Sequence, residues 1–176
     1  MRTITFPFML LAAAGFILSL YAHVMFLLDQ SSPWGESVWF LHAGVFVVWV
    51  PAVLVARRLV RNTAQKDFWK VAMIGCPSWM RDAFGALFVY AILNFLYFAF
   101  VSSKHSAGTG TQTSAIRGFS GHWLIFYAAA FAILYSARHR PDLLDGAKCP
   151  NGHDVDPLAK YCGACGAEIR RERADV

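Results

Sequence analysis

Four stretches of this chain, residues 5–28, 38–56, 83–102 and 119–137, contain no Asp, Glu, Lys or Arg. Each is about 19 to 24 residues long, the length a tilted helix needs to cross a bilayer. They point to a membrane protein with four spanning helices. Composition agrees, with 57% hydrophobic and 15% charged residues, where a soluble domain is nearer one-half and one-quarter. The first stretch follows Arg2 and has the outline of a signal peptide. Its apolar run is too long for one, and no small-x-small cleavage site precedes Asp29-Gln30, so an uncleaved anchor is expected.

The formal charge of +5 could suggest nucleic acid, but the basic residues are unevenly placed. Arg2 precedes the first stretch. Arg57, Arg58, Arg61, Lys66, Lys70 and Arg81 lie between the second and third, and Arg138, Arg140, Lys148, Lys160, Arg170, Arg171 and Arg173 follow the fourth. Only Lys104 and Arg117 lie in the remaining connections. Fourteen against two in short flanking segments predicts that both termini are cytoplasmic, in an inner membrane crossed four times. Topology and lipid attraction then account for the basic residues, and no nucleic-acid partner is expected.

The expected domains are a four-helix membrane bundle at 1–140, a linker at 141–147, a small folded unit at 148–170 and a tail at 171–176. The connection "DQSSPWGES" is short enough to make spans one and two an antiparallel hairpin, whereas "SSKHSAGTGTQTSAIRG" reads as a polar loop. Between spans two and three, Asn62 or Thr63 can cap a short helix over about 63–74. Its Phe68, Trp69, Lys66 and Lys70 suit the lipid–water boundary. Gly75 and Pro77 would end it, and Ser78 can cap span three.

The segment after span four is too small to bury a core and needs a metal or disulfides. It carries Cys149-x3-His153-x8-Cys162-x2-Cys165, three thiols and an imidazole in two turns rich in glycine. That donor set suits tetrahedral zinc. Disulfides would require an oxidising compartment, which the charge bias argues against. A redox C-x-x-C pair is the other alternative, but three cysteines and a histidine at ligand spacing favour metal. "CPNGH" followed by "KYCGACGAEI" resembles the bacterial zinc-ribbon family with a C-x-x-G-H first knuckle and an aromatic-C-x-x-C-G second knuckle. The resemblance covers about 20 residues. It implies two short β hairpins around one structural zinc held by Cys149, His153, Cys162 and Cys165, with Tyr161 packed against the site. Such ribbons mostly support structure or protein contacts, which implies a cytosolic protein partner. Cys76 is expected to be a free thiol near the inner boundary, or a ligand in place of His153 if the ribbon docks beneath the bundle.

Ionisable residues inside spans are candidates for function. His23 and His42 each lie six residues from the outer acidic residues Asp29 and Glu36, so both sit roughly 9 Å inside the outer boundary. With His122 near the outer start of span four and His105 in the outer loop, they could hold a haem or a second metal. The simpler alternative is hydrogen bonding within the bundle, with Ser19 one turn from His23 as a partner. Tyr90, Asn94 and Tyr97 make a polar stripe on span three, which could bond across helices or line a small pocket. Span four carries the small residues Gly121, Ala128, Ala129, Ala132 and Ser136 for close packing. Trp34, Trp39, Trp79, Trp123 and Tyr127 read as interfacial anchors.

No span carries a carboxylate, and no phosphate loop, H-E-x-x-H or nucleophile–base spacing appears. Nothing therefore asks for an enzyme. The expected architecture is an all-α membrane four-helix bundle with a C-terminal zinc ribbon that contacts a protein partner or docks on the bundle. A membrane electron-transfer protein and a small permease or lipid-binding protein remain as alternatives. A homo-oligomer also stays open.

Overall fold

The computed structural model describes residues 2–28, 30, 34–104 and 112–169, without the side chains of residues 2–4, 101–104, 112–115 and 117. Five helices follow one another: α1 (Arg2–Leu27), α2 (Trp39–Leu59), α3 (Phe68–Ala72), α4 (Ser78–Lys104) and α5 (Gln112–His139). Short 3-10 turns occupy Gly35–Val38, Gln65–Asp67 and Pro141–Asp145. Helices α1, α2, α4 and α5 are long and apolar enough to cross a membrane. They extend past the uncharged stretches at several ends. Charge marks where lipid stops, whereas a helix with satisfied backbone can continue into water. His105 lies outside the described residues.

The bundle is organised around α5. It packs against α1, α2 and α4, while α1 also packs on α2. Within its apolar window 61% of α5 is buried, against 11% of α4, so α5 is the inner helix and α4 lies at the margin. The inner side of α5 follows a seven-residue rhythm: Ser120, Trp123, Tyr127, Ala130, Leu134 and Ala137 are all buried. Such spacing keeps one stripe of a helix facing its neighbours. Small residues bring backbones close in the C-terminal half of α5, and large rings with polar tips fill its N-terminal half.

Trp123 and Tyr127 are therefore core residues rather than interfacial anchors. Tyr127 inserts its ring beside Gly15 of α1 and Gly44 of α2, and its hydroxyl donates to the Leu41 carbonyl at 2.7 Å. Trp39 is half-buried and packs edge-on against Phe119 and Trp123. Trp79 is exposed, as an anchor would be.

The connection between α2 and α4 differs from the expected helix at 63–74. A 3-10 turn leads into α3, only five residues long, and the capping position before that turn is Ala64, with no side-chain cap. Asn62 instead takes the left-handed backbone conformation (φ 66°) that turns the chain out of α2. Val71, Ala72 and Met73 are buried against the bundle, while Trp69 stays partly exposed beside Phe84. Gly75 reaches α5 so closely that a Cβ there would lie 2.6 Å from the Ser136 carbonyl oxygen, and its N–H donates to Ser136 Oγ at 3.0 Å. Ser136 is thus an acceptor as well as a small packing residue.

After α5, Arg140 and Asp142 form a two-pronged ion pair that turns the chain. Leu143 returns into the main core, and the Pro141–Asp145 turn packs on the end of α2. Ala147 touches both that core and the small core of Cys149, Val155 and Cys162. The C-terminal unit therefore abuts the bundle.

Candidate metal centre and the polar nodes of the bundle

Two tight turns build the C-terminal unit. In the first, Lys148 bridges Asp154, the Cys149 N–H donates to the His153 carbonyl, and Gly152 N–H returns to the Cys149 carbonyl. In the second, Tyr161 bridges Glu168, Cys162 N–H donates to the Ala167 carbonyl, and Gly166 N–H returns to the Cys162 carbonyl. Gly152 (φ 83°) and Gly166 (φ 71°) occupy backbone conformations that side chains disfavour. The pairing stops at these isolated bridges. Among the described residues there is no β strand, so the expected hairpins are reduced to two knuckles.

The knuckles bring Cys149, His153, Cys162 and Cys165 together, with one donor atom from each lying within 4.8 Å of the others. Cys149 Sγ lies 3.8 Å from Cys165 Sγ and 3.5 Å from His153 Nδ1, and Cys162 Sγ lies 3.9 Å from that nitrogen. A tetrahedral ion bound at about 2.3 Å by sulfur and about 2.0–2.1 Å by nitrogen sets edges of roughly 3.8 Å (S···S) and 3.6 Å (S···N). Those three separations lie close to such edges, and the four residues together could hold a metal ion. The Ala167 backbone amide, and after it the Asn151 side chain donating at 3.3 Å, bring the Cys165 thiol down to about 6. Tyr161, expected to pack against the site, is 62% exposed.

Cys76 takes no part. It is buried between α3 and α4, and its thiol donates to the Ala132 carbonyl at 3.2 Å. Burial pushes its pKa up to about 12.

The membrane histidines take different hydrogen-bond partners, although His42 and His122 both pack on Phe119. His23 is buried, with Nδ1 bonded to Ser120 Oγ at 2.6 Å and Nε2 to the Tyr90 hydroxyl at 2.5 Å. One side chain thus ties α1 to α5 and α4. Its partner is Ser120, across 97 residues of chain. Ser19 is fully buried and its hydroxyl has no partner among the described residues. His42 accepts a hydrogen bond from Trp123 Nε1 at 2.9 Å, which ties α2 to α5. His122 Nδ1–H donates to its own helix at Gly118, and the ring packs edge-on against Phe95.

These bonds do not fit a bis-histidine haem. Both nitrogens of His23 are engaged. A metal on Nε2 of His42 would require the ring proton on Nδ1, where the Trp123 N–H already points. The Ser120–His23 contact is a hydroxyl–imidazole pair that linear spacing could not reveal. Both groups are buried, so the bond joins helices.

The tyrosine–asparagine stripe also divides. Tyr90 joins the His23 node, Asn94 lies against Gly121 of α5, and Tyr97 is largely exposed. None of the three lines either of the two clefts described here. One, of about 420 Å³, is an apolar recess between α1, α4 and α5 lined by Phe16, Trp79, Phe84 and Phe131 among others. The other, of about 580 Å³, lies at the end of α2 and is lined by Leu54, Arg57, Arg58, Arg61, Leu144 and Asp145. The bias of basic residues towards certain connections was visible in the sequence, but not that three arginines border one cleft.

No known family, curated protein or solved structure matches the chain.

Proposed function

We propose that this four-span membrane protein carries a cytosolic zinc ribbon whose metal is structural and whose surface docks a protein partner at the membrane. The observation that carries this reading is the spacing of the three sulfurs and one imidazole nitrogen, which agrees with the edges of a zinc tetrahedron. Four protein donors fill such a site and leave no position for substrate or water. Zinc binding of this kind supplies about 10 kcal/mol or more to a small domain. A unit of this size with a three-residue buried core needs that contribution. The cytosolic placement rests on the charge bias of the connections.

The exposed surface supports a docking role. Tyr161 stands beside exposed Lys160, and Lys148 is exposed on the other knuckle. An exposed aromatic ring is a common kind of anchor in protein interfaces. The partner that fits offers an apolar recess for the ring.

Elemental analysis of the untagged protein purified in detergent tests the metal. About one zinc and no stoichiometric iron per chain is expected, and absence of both metals after gentle purification would sink the reading. Docking is tested by substituting Tyr161→Ala, which should lose the partner while zinc content is retained. Cys162→Ser should lose both, with the bundle still inserted. A partner retained equally by wild type and both variants would exclude the ribbon as the docking surface.

A further inference from the structure

The cleft at the end of α2 has a chemistry that the metal centre does not use. Arg57, Arg58 and Arg61 line one side, and Leu144 and Asp145 from the turn after α5 line the other. Leu54 closes the end that lies within the apolar stretch. All three arginines are exposed, and among the described residues the side chains of Arg57 and Arg61 make no ion pair or hydrogen bond. Asp145, the Asp154 carboxylate near Arg61 and the carbonyl end of α2 subtract from the field, but three guanidiniums against two carboxylates leave it positive. Guanidinium forks match phosphate oxygens in pairs, which makes such a cleft selective for phosphate over a simple halide.

A second feature says what kind of phosphate. Val47 and Leu54 fall on one line of α2 at seven-residue spacing, with Val50, Arg57 and Arg58 flanking it, and Arg61 follows in the turn after the helix. Val47, Val50 and Leu54 are 53%, 58% and 58% exposed, while Val45, Val48, Ala52, Ala56 and Leu59 bury the opposite face. An apolar track thus runs along the spanning part of the helix and ends in the arginine cleft at its boundary.

We propose that this cleft is a specific site for the phosphate of an anionic phospholipid, with an acyl chain lying along Val47, Val50 and Leu54. The shared chemistry is a phosphate ester, so a soluble phosphate is the other possible source. The proposal is independent of the metal in the C-terminal unit.

Native mass spectrometry of the full-length protein, released from detergent after titration with phosphatidylglycerol or phosphatidylcholine, tests it. One phosphatidylglycerol is expected to be retained more tightly than the rest. Arg57→Gln with Arg61→Gln should weaken it roughly tenfold or more, whereas Lys66→Gln with Arg81→Gln, the same charge change away from the cleft, should change it far less. Asp145→Asn should tighten retention, and this variant keeps the test decisive if the arginine pair fails to fold. Equal losses from the two double variants, or no change on Asp145→Asn, would overturn the site in favour of diffuse attraction to basic residues. Glycerol phosphate is the competing probe. If it displaces the lipid, the site takes phosphate from either source; if it does not, the chain along α2 is required.

Discussion

Tyr127 gives the sharpest test of how this bundle is held together. Its ring occupies the space that a side chain on Gly15 would need: an ideal Cβ there would lie 2.2 Å from Cε1, 2.5 Å from Cδ1 and 2.6 Å from Cζ. Carbon atoms rest at about 3.5–4.0 Å, so Gly15→Ala creates an overlap on the order of 1.3 Å. The ring cannot easily yield, because it is buried, its hydroxyl holds the Leu41 carbonyl, and that oxygen is within 2.5 Å of where a Cβ on Gly44 would sit. Overpacking of this kind costs about 1–3 kcal/mol. Loss of the Leu41 bond adds about 1 kcal/mol, and the helix preference of alanine returns about 1 kcal/mol. The net loss expected is about 1–3 kcal/mol. Gly85 of α4 provides the control, since a Cβ there meets nothing within 4 Å. Gly85→Ala should therefore stabilise by roughly 0.5–1 kcal/mol. Unfolding of both purified variants in one detergent, followed by helical circular dichroism, measures the difference. The two substitutions should shift the midpoint in opposite directions, and Gly15→Ala should become harmless in a Tyr127→Ala background. Equal shifts, or a penalty that survives removal of the ring, would refute the wedge.

Three further outcomes are expected. Cys76, with its pKa raised by burial from 9.0 to about 12, should resist iodoacetamide at pH 8 until denaturing detergent is added, while chelation should make Cys149, Cys162 and Cys165 react first. Because the unfolded thiol ionises near pH 9 and the folded one keeps its proton, this residue's contribution to stability should fall as pH rises from 9 towards 12; the comparison is wild type against Cys76→Ala. Gly152→Ala and Gly166→Ala meet open space but require a left-handed alanine, so each should cost about 1–2 kcal/mol and lower zinc affinity in a chelator competition, with Gly163→Ala as a near-neutral reference. Tyr90→Phe should cost about 0.5–2 kcal/mol in the same unfolding assay by leaving one nitrogen of His23 unpaired; an unchanged midpoint would exclude that bond as a tie between α1 and α4.

The four long apolar helices and the Cys/His cluster were legible for the same reason: both depend on spacing along the chain. An uncharged stretch of the right length has few alternatives, and Cys149, His153, Cys162 and Cys165 close into two local turns. What stayed hidden depends on which face of a helix meets which neighbour. Trp123 and Tyr127 have the composition of interfacial anchors, and only the packing of α1 and α2 against α5 turns them inward. A signal was present in the seven-residue rhythm from Ser120 to Ala137, which marks α5 as a helix with a buried stripe. The histidines illustrate the other limit. His23 and His42 do lie in the same part of their helices, but depth fixes only one coordinate of three. Rotation about the helix axes sends one to Ser120 and Tyr90 and the other to Trp123. A short helix was expected there, but not that it would be only five residues long or that Val71 to Met73 would be drawn into the core, because Phe68, Trp69 and the lysines have a boundary composition.

The connection between bundle and metal centre follows from where the buried stripe of α5 ends. The most enclosed helix runs directly into the Pro141–Asp145 turn, Leu143 of that turn is held in the main core, and Ala147 touches the cores on both sides. The Cys/His cluster is therefore mounted on the most enclosed helix through a segment that is itself packed. The same turn supplies Leu144 and Asp145 to the arginine cleft. A partner pulling on the ribbon and a phosphate entering the cleft would both act on these few residues. If they do, thermodynamic reciprocity requires that the factor by which anionic lipid changes partner affinity equal the factor by which partner changes lipid affinity. Equal affinities with and without lipid would mean that the turn is a rigid mount, with the ribbon and the cleft working independently on opposite sides of it.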